Sequence, residues 1–108
     1  MDYTVKVEPS ALLQLEKIVK YISDVLLVPE TAKKWLDVME EAISGLDVFP
    51  CRFALIEDEP WKSNGVRKMA IKGFMVYYVI EEEKKLVSVI AVVYGRRDQI
   101  TALKEIQD

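Results

Sequence analysis

The chain has 108 residues, of which 51% are hydrophobic and 31% are charged, and its formal net charge is −3. This composition is that of a folded globular protein, and the length fits a single domain, which we predict over residues 1–108. The sequence has no histidine and one cysteine, Cys51. This excludes a disulfide framework and the commonest zinc ligand and general base, so we expect no metal and no cofactor.

The N-terminus gives no sign of export. Met1–Val5 has neither the basic start nor the apolar stretch of a signal peptide, and no apolar run in the sequence is long enough to span a bilayer. We therefore expect a cytoplasmic protein with no membrane partner. The negative net charge also disfavours binding to a phosphate backbone through overall charge, although a local basic patch could still bind one.

Hydrophobic spacing predicts a strand and two helices in the N-terminal half. Residues 3–7 alternate between apolar and polar, which is typical of a strand with one apolar face. Apolar residues then recur every three or four positions from Ala11 to Leu26 and again from Pro29 to Leu46, which is the spacing of amphipathic helices. The few residues between the two helices favour an antiparallel helix hairpin.

The C-terminal half predicts a connection followed by three strands. Residues 50–65 hold prolines, an acidic cluster and turn residues, and Trp61 is expected to pin this connection to the body of the protein. The predicted strands are Val66–Lys72, Phe74–Ile80 and Leu86–Tyr94. The fold class is therefore α+β in the order β-α-α-β-β-β. We expect a small antiparallel sheet with the helix hairpin on one face and the N-terminal strand at an edge.

Both faces of the last two strands are apolar. Because neighbouring residues of a strand point to opposite faces, strict alternation places Met75 and Tyr77 of one strand and Ile90 and Val92 of the next on the face away from the helices. Two helices can cover only one face, so these residues are candidates for partner binding. The alternative is that the connection and the C-terminal tail cover this face, and burial of all four side chains would contradict the partner hypothesis.

Basic residues gather near the ends of these strands. Arg67, Lys68 and Lys72 lie on the first strand of the meander, and Arg96 and Arg97 follow the last strand. The first and third strands of an antiparallel meander run the same way, so the two later arginines should lie nearer to Lys72 than to Arg67. Guanidinium groups form paired hydrogen bonds to phosphate oxygens, so this group is a candidate phosphate site. A solvated strand end is the alternative.

Three segments of the C-terminal half form a recognisable set: Gly65-Val66-Arg67-Lys68-Met69, Lys72-Gly73-Phe74-Met75-Val76-Tyr77-Tyr78 and Val93-Tyr94-Gly95-Arg96-Arg97-Asp98. They resemble strand motifs of the RelE/ParE toxins, the toxin components of type II toxin–antitoxin modules. With the N-terminal strand and helices, the resemblance covers about residues 3–103. It implies the α+β fold inferred above, a cognate antitoxin as partner, growth inhibition and a role in plasmid stabilisation.

The resemblance implies two modes of toxicity. ParE-like members poison DNA gyrase, whereas RelE-like members cut mRNA in the ribosome without a metal ion. In the second mode, Arg67 and Arg97 correspond to catalytic residues of the family. Further phosphate or target contacts would be Lys68, Lys72, Tyr94 and Arg96.

Two positions depart from the nuclease pattern. Met75 stands where the nucleases have an arginine, and Leu103 stands roughly where they have a catalytic tyrosine. We therefore favour a toxin that acts by binding, as a gyrase poison does. The sequence leaves open a ribosome-dependent mRNA endonuclease, a family member that only binds a partner, and a homodimer.

Overall fold

The computed structural model describes residues 2–25, 29–71 and 73–94, and of four residues (Ile22, Val25, Pro29 and Thr31) it describes the backbone alone. Its elements are β1 (Thr4–Val7), α1 (Pro9–Lys20), α2 (Pro29–Ser44), β2 (Arg67–Ile71), β3 (Phe74–Glu81) and β4 (Leu86–Tyr94). A π-helical turn follows α1 at Tyr21–Val25, and short 3-10 turns follow α2 at Gly45–Asp47 and Pro50–Arg52. The α+β class and the order β-α-α-β-β-β are confirmed.

The sheet has four strands in the order β1-β4-β3-β2. The last three strands form the antiparallel meander that the turn residues predict. The N-terminal strand lies at an edge, but it pairs with β4 in parallel, from Thr4 opposite Leu86 to Val7 opposite Val89. The sheet is therefore mixed, not wholly antiparallel as expected, because the chain enters beside the start of β4 and continues as α1 along its end.

Helix α1 occupies the edge of β4 where β1 stops. Glu8 N–H makes the last ladder bond, to the Val89 carbonyl at 2.9 Å, and Pro9 then begins the helix. Further along, the Ser10 hydroxyl donates to the Ile90 carbonyl at 3.2 Å, and Gln14 Oε1 accepts from the Val92 N–H at 2.8 Å. Side chains of a helix thus take the place of a neighbouring strand for the second half of β4.

The two helices cover one face of the sheet, here called the helix face, and enclose the main core. Its buried members are Ala11, Leu15, Ala32, Trp35, Met39, Ile43, Leu46, Met69, Phe74, Val76, Tyr78, Val87, Val89 and Val92. The helical members recur at three or four residues, which is the stripe that the sequence predicts. Burial of each large apolar side chain contributes about 1.5–3 kcal/mol relative to exposure, so this cluster dominates the stability of the fold.

The opposite face is covered by the connection between α2 and β2. Residues 54–66 of this connection, here called the strap, lie across the sheet and form a second cluster with it: Ile56, Trp61, Val66, Tyr77, Ala91 and Val93. Trp61 is buried, which confirms that it pins the connection to the body of the protein. Coverage is incomplete, since three side chains at the margin are only half buried: Met75, Val79 and Ile90.

A β-bulge in β4 breaks the strict alternation on which the prediction of the two faces rests. Tyr77 pairs with Ala91 and Tyr78 with Val89, so Ile90 has no partner on β3. Ile90 and Ala91 both lie on the strap side, and Val92 consequently packs in the main core.

No helix in the described part of the chain is long and apolar enough to cross a membrane.

Candidate functional site

Arg67, at the start of β2, is engaged with the backbone of its own chain. Its Nη1 donates to the carbonyl oxygens of Cys51 at 3.2 Å and Phe53 at 2.6 Å. The side chain is half buried on the helix face, on the same side as Met69. This guanidinium therefore stabilises residues 51–53, which form the corner between α2 and the strap. The sequence did not indicate this structural role.

Two further side chains hold the same corner. The Tyr78 hydroxyl donates to the Pro50 carbonyl, and Arg52 Nη1 donates to the carbonyls of Val48 and Phe49. They stabilise Phe49 at a φ of 46°, a left-handed conformation, which costs a residue with a side chain about 1–2 kcal/mol. The Phe49 ring is 74% exposed. The roles of Arg52 and Tyr78 at this corner could not be predicted from the sequence. The contacts of Arg52 are local but follow no spacing pattern, and Tyr78 reaches Pro50 from 28 positions away.

The structure does not bring the described basic residues together with Tyr94. Lys68 is exposed on the strap side of β2, opposite to the face that carries Arg67. Arg67 pairs with Tyr78 of β3, whereas Tyr94 pairs with Phe74, four residues earlier on the same strand. At 3.3–3.4 Å per residue these positions lie about 13 Å apart along the sheet, in addition to the separation across strands.

Tyr94 instead belongs to a group of four aromatic side chains. Its ring stacks on Phe74 with centroids 4.6 Å apart, and Phe74 contacts Trp35 at 4.1 Å. On its other side Tyr94 contacts Tyr21, in the π-helical turn, at 6.3 Å. Tyr21 is 43% exposed and Tyr94 is 44% exposed. The contact of Tyr21 could not be predicted from the sequence, because its position off the apolar stripe of α1 gives no sign of a ring partner on β4.

The two tyrosines of β3 are poor acid–base groups. Burial raises the pKa of both Tyr77 and Tyr78 to about 12. For Tyr77 the carboxylate of Asp58 adds to this effect, while for Tyr78 the charges of Arg67 and Arg52 oppose it. Both phenols stay protonated at neutral pH, so neither can remove a proton from a substrate hydroxyl there.

Three residues of the predicted phosphate site, Lys72, Arg96 and Arg97, lie outside the described residues. The register nevertheless places the end of β4 beside the start of β3 and the end of β2, since Tyr94, Phe74 and Ile71 are aligned. This is the arrangement expected for chain segments that lead to Lys72 on one side and to the two arginines on the other.

The four residues predicted to bind a partner divide into two pairs. Tyr77 and Val92 are each 1% exposed, the first beneath the strap and the second in the main core. Neither is accessible in the monomer, and Val92 is on the wrong face because of the bulge at Ile90. Met75 and Ile90 are half buried and lie at the open margin of the strap. Since not all four are buried, partner binding stays a hypothesis for Met75 and Ile90 alone.

An open groove of about 860 Å³ lies between α1 and α2 above β1. Apolar side chains line it, among them Val5, Leu12 and Leu36, and charged residues including Glu16 and Glu40 stand around it. Among the described side chains, no group of three or more histidine, cysteine, aspartate or glutamate residues could hold a metal ion.

The sequence model of the family described as "ParE toxin of type II toxin-antitoxin system, parDE" matches residues 5–99. Among curated proteins no match is found. A solved chain of the chromosomal ParDE toxin–antitoxin system from P. aeruginosa is 21% identical, with a TM-score of 0.71 over 87% of this chain and 97% of that chain.

Two further solved structures share the fold. A chain of the RelBE2 toxin–antitoxin complex from Mycobacterium tuberculosis is 22% identical, with a TM-score of 0.62 over 87% of this chain and 92% of that one. A mutant RelE toxin from E. coli in the free state is 18% identical, with a TM-score of 0.62 over 98% of this chain and 99% of that one. The structural likeness supports the fold, and the family match runs from β1 beyond β4, so this chain belongs to the ParE toxin family of type II toxin–antitoxin systems, within the RelE/ParE superfamily.

Proposed function

We propose that this toxin inhibits growth by binding an essential protein target, as ParE-like members bind DNA gyrase, and that it does not cut RNA. One observation carries the proposal: among the described residues, those suited to phosphoryl chemistry are dispersed or occupied. Arg67 donates to two backbone carbonyls, and Tyr94 lies at the other end of the sheet. RNA cleavage needs such groups to converge on one phosphate.

The two buried tyrosines of β3 agree with a binding mode, because neither can serve as a general base. A nuclease without a metal ion and without histidine needs another group that accepts a proton near neutral pH. Tyr77 and Tyr78 are buried, and their pKa values are raised to about 12. Binding to a protein target requires no such group.

The test compares the two activities with purified protein. We expect the chain to inhibit supercoiling by DNA gyrase and to leave mRNA uncut on translating ribosomes. In a bacterial host under tight induction, the same proposal predicts a block of DNA replication before any block of translation. Ribosome-dependent cleavage that Arg67→Gln and Arg97→Ala abolish, with gyrase unaffected, would instead support the endonuclease.

Arg97 offers a more specific test of the same proposal. The family resemblance makes it a residue of the toxic activity, and a residue that acts on a target must face the solvent in the free toxin, where a charge contributes little to stability. Arg97→Ala should therefore weaken growth inhibition at least tenfold in the inducer level required, while the melting temperature stays within about 2 °C of the parent. A large fall in melting temperature would mean that Arg97 is structural.

We further infer that a cognate antitoxin binds this chain and contacts the margin of the strap, where Met75 and Ile90 are half buried. Partly exposed apolar side chains at a sheet face are suited to a protein partner. Ile90→Asp should weaken antitoxin binding at least tenfold, and Lys84→Asp at the exposed hairpin tip should not. Equal affinity of both variants would exclude the margin as a contact.

A further inference from the structure

Strand β2 forms one edge of the sheet, and the strap pairs only with the start of its outer side. Leu55 makes a single antiparallel bridge to Arg67, and the Lys68 N–H donates to the Ala54 carbonyl at 3.2 Å. Before Ala54 the chain turns away from β2 into the 3-10 turn at Pro50–Arg52, where the Arg67 guanidinium bonds to its backbone. The strap therefore stops being a neighbour of β2 at Lys68.

Beyond that point β2 presents backbone groups that nothing in the described part of the chain satisfies. The Lys68 N–H points away from β3, so the alternation of an antiparallel ladder directs the N–H and C=O of Ala70 outward as well. These two groups and the Lys68 carbonyl have no hydrogen-bond partner among the described residues, and Ala70 is exposed. An extended segment offers donors and acceptors at this spacing, whereas a helix uses its own internally. The edge is therefore a template for a strand.

A groove of about 530 Å³ lies beside the same edge, between α2 and β2. Glu41 and Arg52 line it with opposite charges, so they add no net charge to it. Alternate side chains of a strand added to β2 would point towards this groove, because neighbouring residues of a strand point to opposite faces. The groove favours apolar residues at these positions, since apolar side chains form much of its wall: Val38, Ala42, Phe53, Met69 and Ile71.

On the strap side of β2 the charged residue is Lys68, which is exposed. Opposite charges that face each other on neighbouring strands stabilise the pair, and like charges destabilise it. A second copy of this chain fits poorly, since two-fold pairing centred on Ala70 would set Lys68 against residue 72 of the other copy, which is also a lysine. A segment with aspartate or glutamate opposite Lys68 fits well.

We propose that the cognate antitoxin adds an extended segment to β2 as a further strand of the sheet, with apolar side chains in the groove beside α2 and a carboxylate facing Lys68. Ala70 pairs with Met75 of β3, and both side chains lie on the strap side. Met75 belongs to the strap margin proposed above as an antitoxin contact, so one segment can cover the margin and the edge. The inference rests on that proposed contact and gives it a position and a backbone conformation.

Amide hydrogen exchange of the toxin, free and bound to the purified antitoxin of the same module, tests the pairing directly. We expect the Ala70 amide to exchange rapidly in the free chain and at least tenfold more slowly in the complex, because its N–H becomes a donor in the new ladder. The Lys68 amide, which already bonds to Ala54, is the internal reference and should be protected in both states.

A pair of proline variants tests the same donor by affinity. Ala70→Pro removes the outward N–H without breaking a ladder bond to β3, which an edge strand tolerates. It should weaken antitoxin binding at least tenfold, as measured by titration calorimetry. Glu83→Pro is the matched control, because residue 83 is the second position of the turn that the Lys85 N–H closes on the Glu82 carbonyl, where proline fits. Its affinity should stay within twofold of the parent.

A pair of charge reversals tests the side chain at the edge. Lys68→Glu should weaken antitoxin binding about threefold, because the carboxylate on the added strand would then face a like charge. Lys84→Glu at the exposed hairpin tip should leave the affinity unchanged. Thermal melting of each variant verifies that the fold persists. Equal affinity of the two variants would exclude a carboxylate opposite Lys68.

The outcomes separate the strand from the contact on which it rests. Equal exchange of the Ala70 amide in free and bound toxin would overturn the added strand while antitoxin binding stands, and this measurement requires no variant to fold. Failure of the parent to bind the antitoxin would overturn both. Protection of Ala70 in a concentrated free toxin that sediments as a dimer, or protection by gyrase in place of the antitoxin, would assign the edge to another occupant and overturn the proposal.

Discussion

The two faces of the sheet are covered by different means. On the helix face, two amphipathic helices of 12 and 16 residues bring whole stripes of apolar side chains to the core. On the other face, the strap makes a smaller cluster with three buried residues of its own: Ile56, Trp61 and Val66. An apolar sheet face therefore does not by itself indicate a partner-binding site, because a loop with one large aromatic residue can cover most of that face.

Each face is covered by an element with one tryptophan, so the contribution of each covering layer to stability can be measured by substituting that residue. Trp35 on α2 is 8% exposed and Trp61 in the strap is 7% exposed. In both, the indole N–H is buried without a hydrogen-bond partner among the described residues. The two differ mainly in what surrounds them, a helix packed on the sheet or a loop that can collapse inward.

The largest effect is expected from Trp35→Ala. The cavity would open inside the main core between α2 and Phe74, where the packed helix cannot close it. We expect a loss of about 3–5 kcal/mol in the free energy of unfolding, seen as a single cooperative shift in denaturant midpoint. A loss under 1 kcal/mol would mean that the helix face is not the dominant source of stability.

Trp61→Ala should cost less, about 2–3 kcal/mol, because the strap can relax over the gap. The damage should also be local. The amides of Ile56 and Val66, which bond within the strap region, should exchange with solvent faster, while the Val92 amide under α1 keeps its protection. Uniform loss of protection across the sheet would show that the strap and helix face unfold as one unit.

Alkaline pH tests the two faces through one tyrosine on each. Tyr77 lies under the strap and Tyr78 in the main core, and both pKa values are raised from 10.0 to about 12. Between about pH 10 and 12 the unfolded chain releases protons that the folded chain retains, so stability falls as pH rises.

The slope in that window should be roughly 1.4 kcal/mol per pH unit for each tyrosine, and stability below pH 9 should be insensitive to these groups. Tyr77→Phe and Tyr78→Phe should each remove about half of the slope, as measured by urea unfolding at a series of pH values. A slope that only one variant reduces would locate the alkaline sensitivity on that face.

The smallest effect is expected from Gln14→Leu, which removes the acceptor of the Val92 N–H and keeps an apolar stem on α1. The cost should be about 1–2 kcal/mol, because a peptide group at the edge of the main core loses its partner. Glu59→Gln in the strap is the matched control. Its oxygen still accepts from the Ser63 N–H, so stability should change by less than about 0.5 kcal/mol.

The element order could be predicted from the sequence because its signals are local. The meander follows from turn residues such as Gly73, which adopts a φ of +85°, and the helices follow from apolar spacing. The parallel pairing of β1 and the bulge at Ile90 depend on tertiary packing, and no local sequence pattern indicates them. One extra residue in β4 moved Val92 from the predicted partner surface into the core.

The candidate site was less predictable than the fold for a related reason. Arg67 carries the family motif, but its hydrogen bonds reach residues 14 and 16 positions away, and no spacing rule foresees them. Tyr21 and Tyr94 meet only because α1 runs along the edge of β4. The sequence shows which residues could take part in binding or catalysis. Their spatial neighbours are set by tertiary packing, which the sequence does not show directly.

The contacts between α1 and β4 also set an order of events during synthesis. Ser10 and Gln14 bond to residues 80 and 78 positions later in the chain, and β1 pairs with the same last strand. The segments that leave the ribosome first therefore cannot complete their structure until the last strand has emerged, and pairing over such sequence distances is slow. A chain that stops before Leu86 lacks the strand on which its N-terminus folds, so a prematurely terminated chain cannot complete this fold.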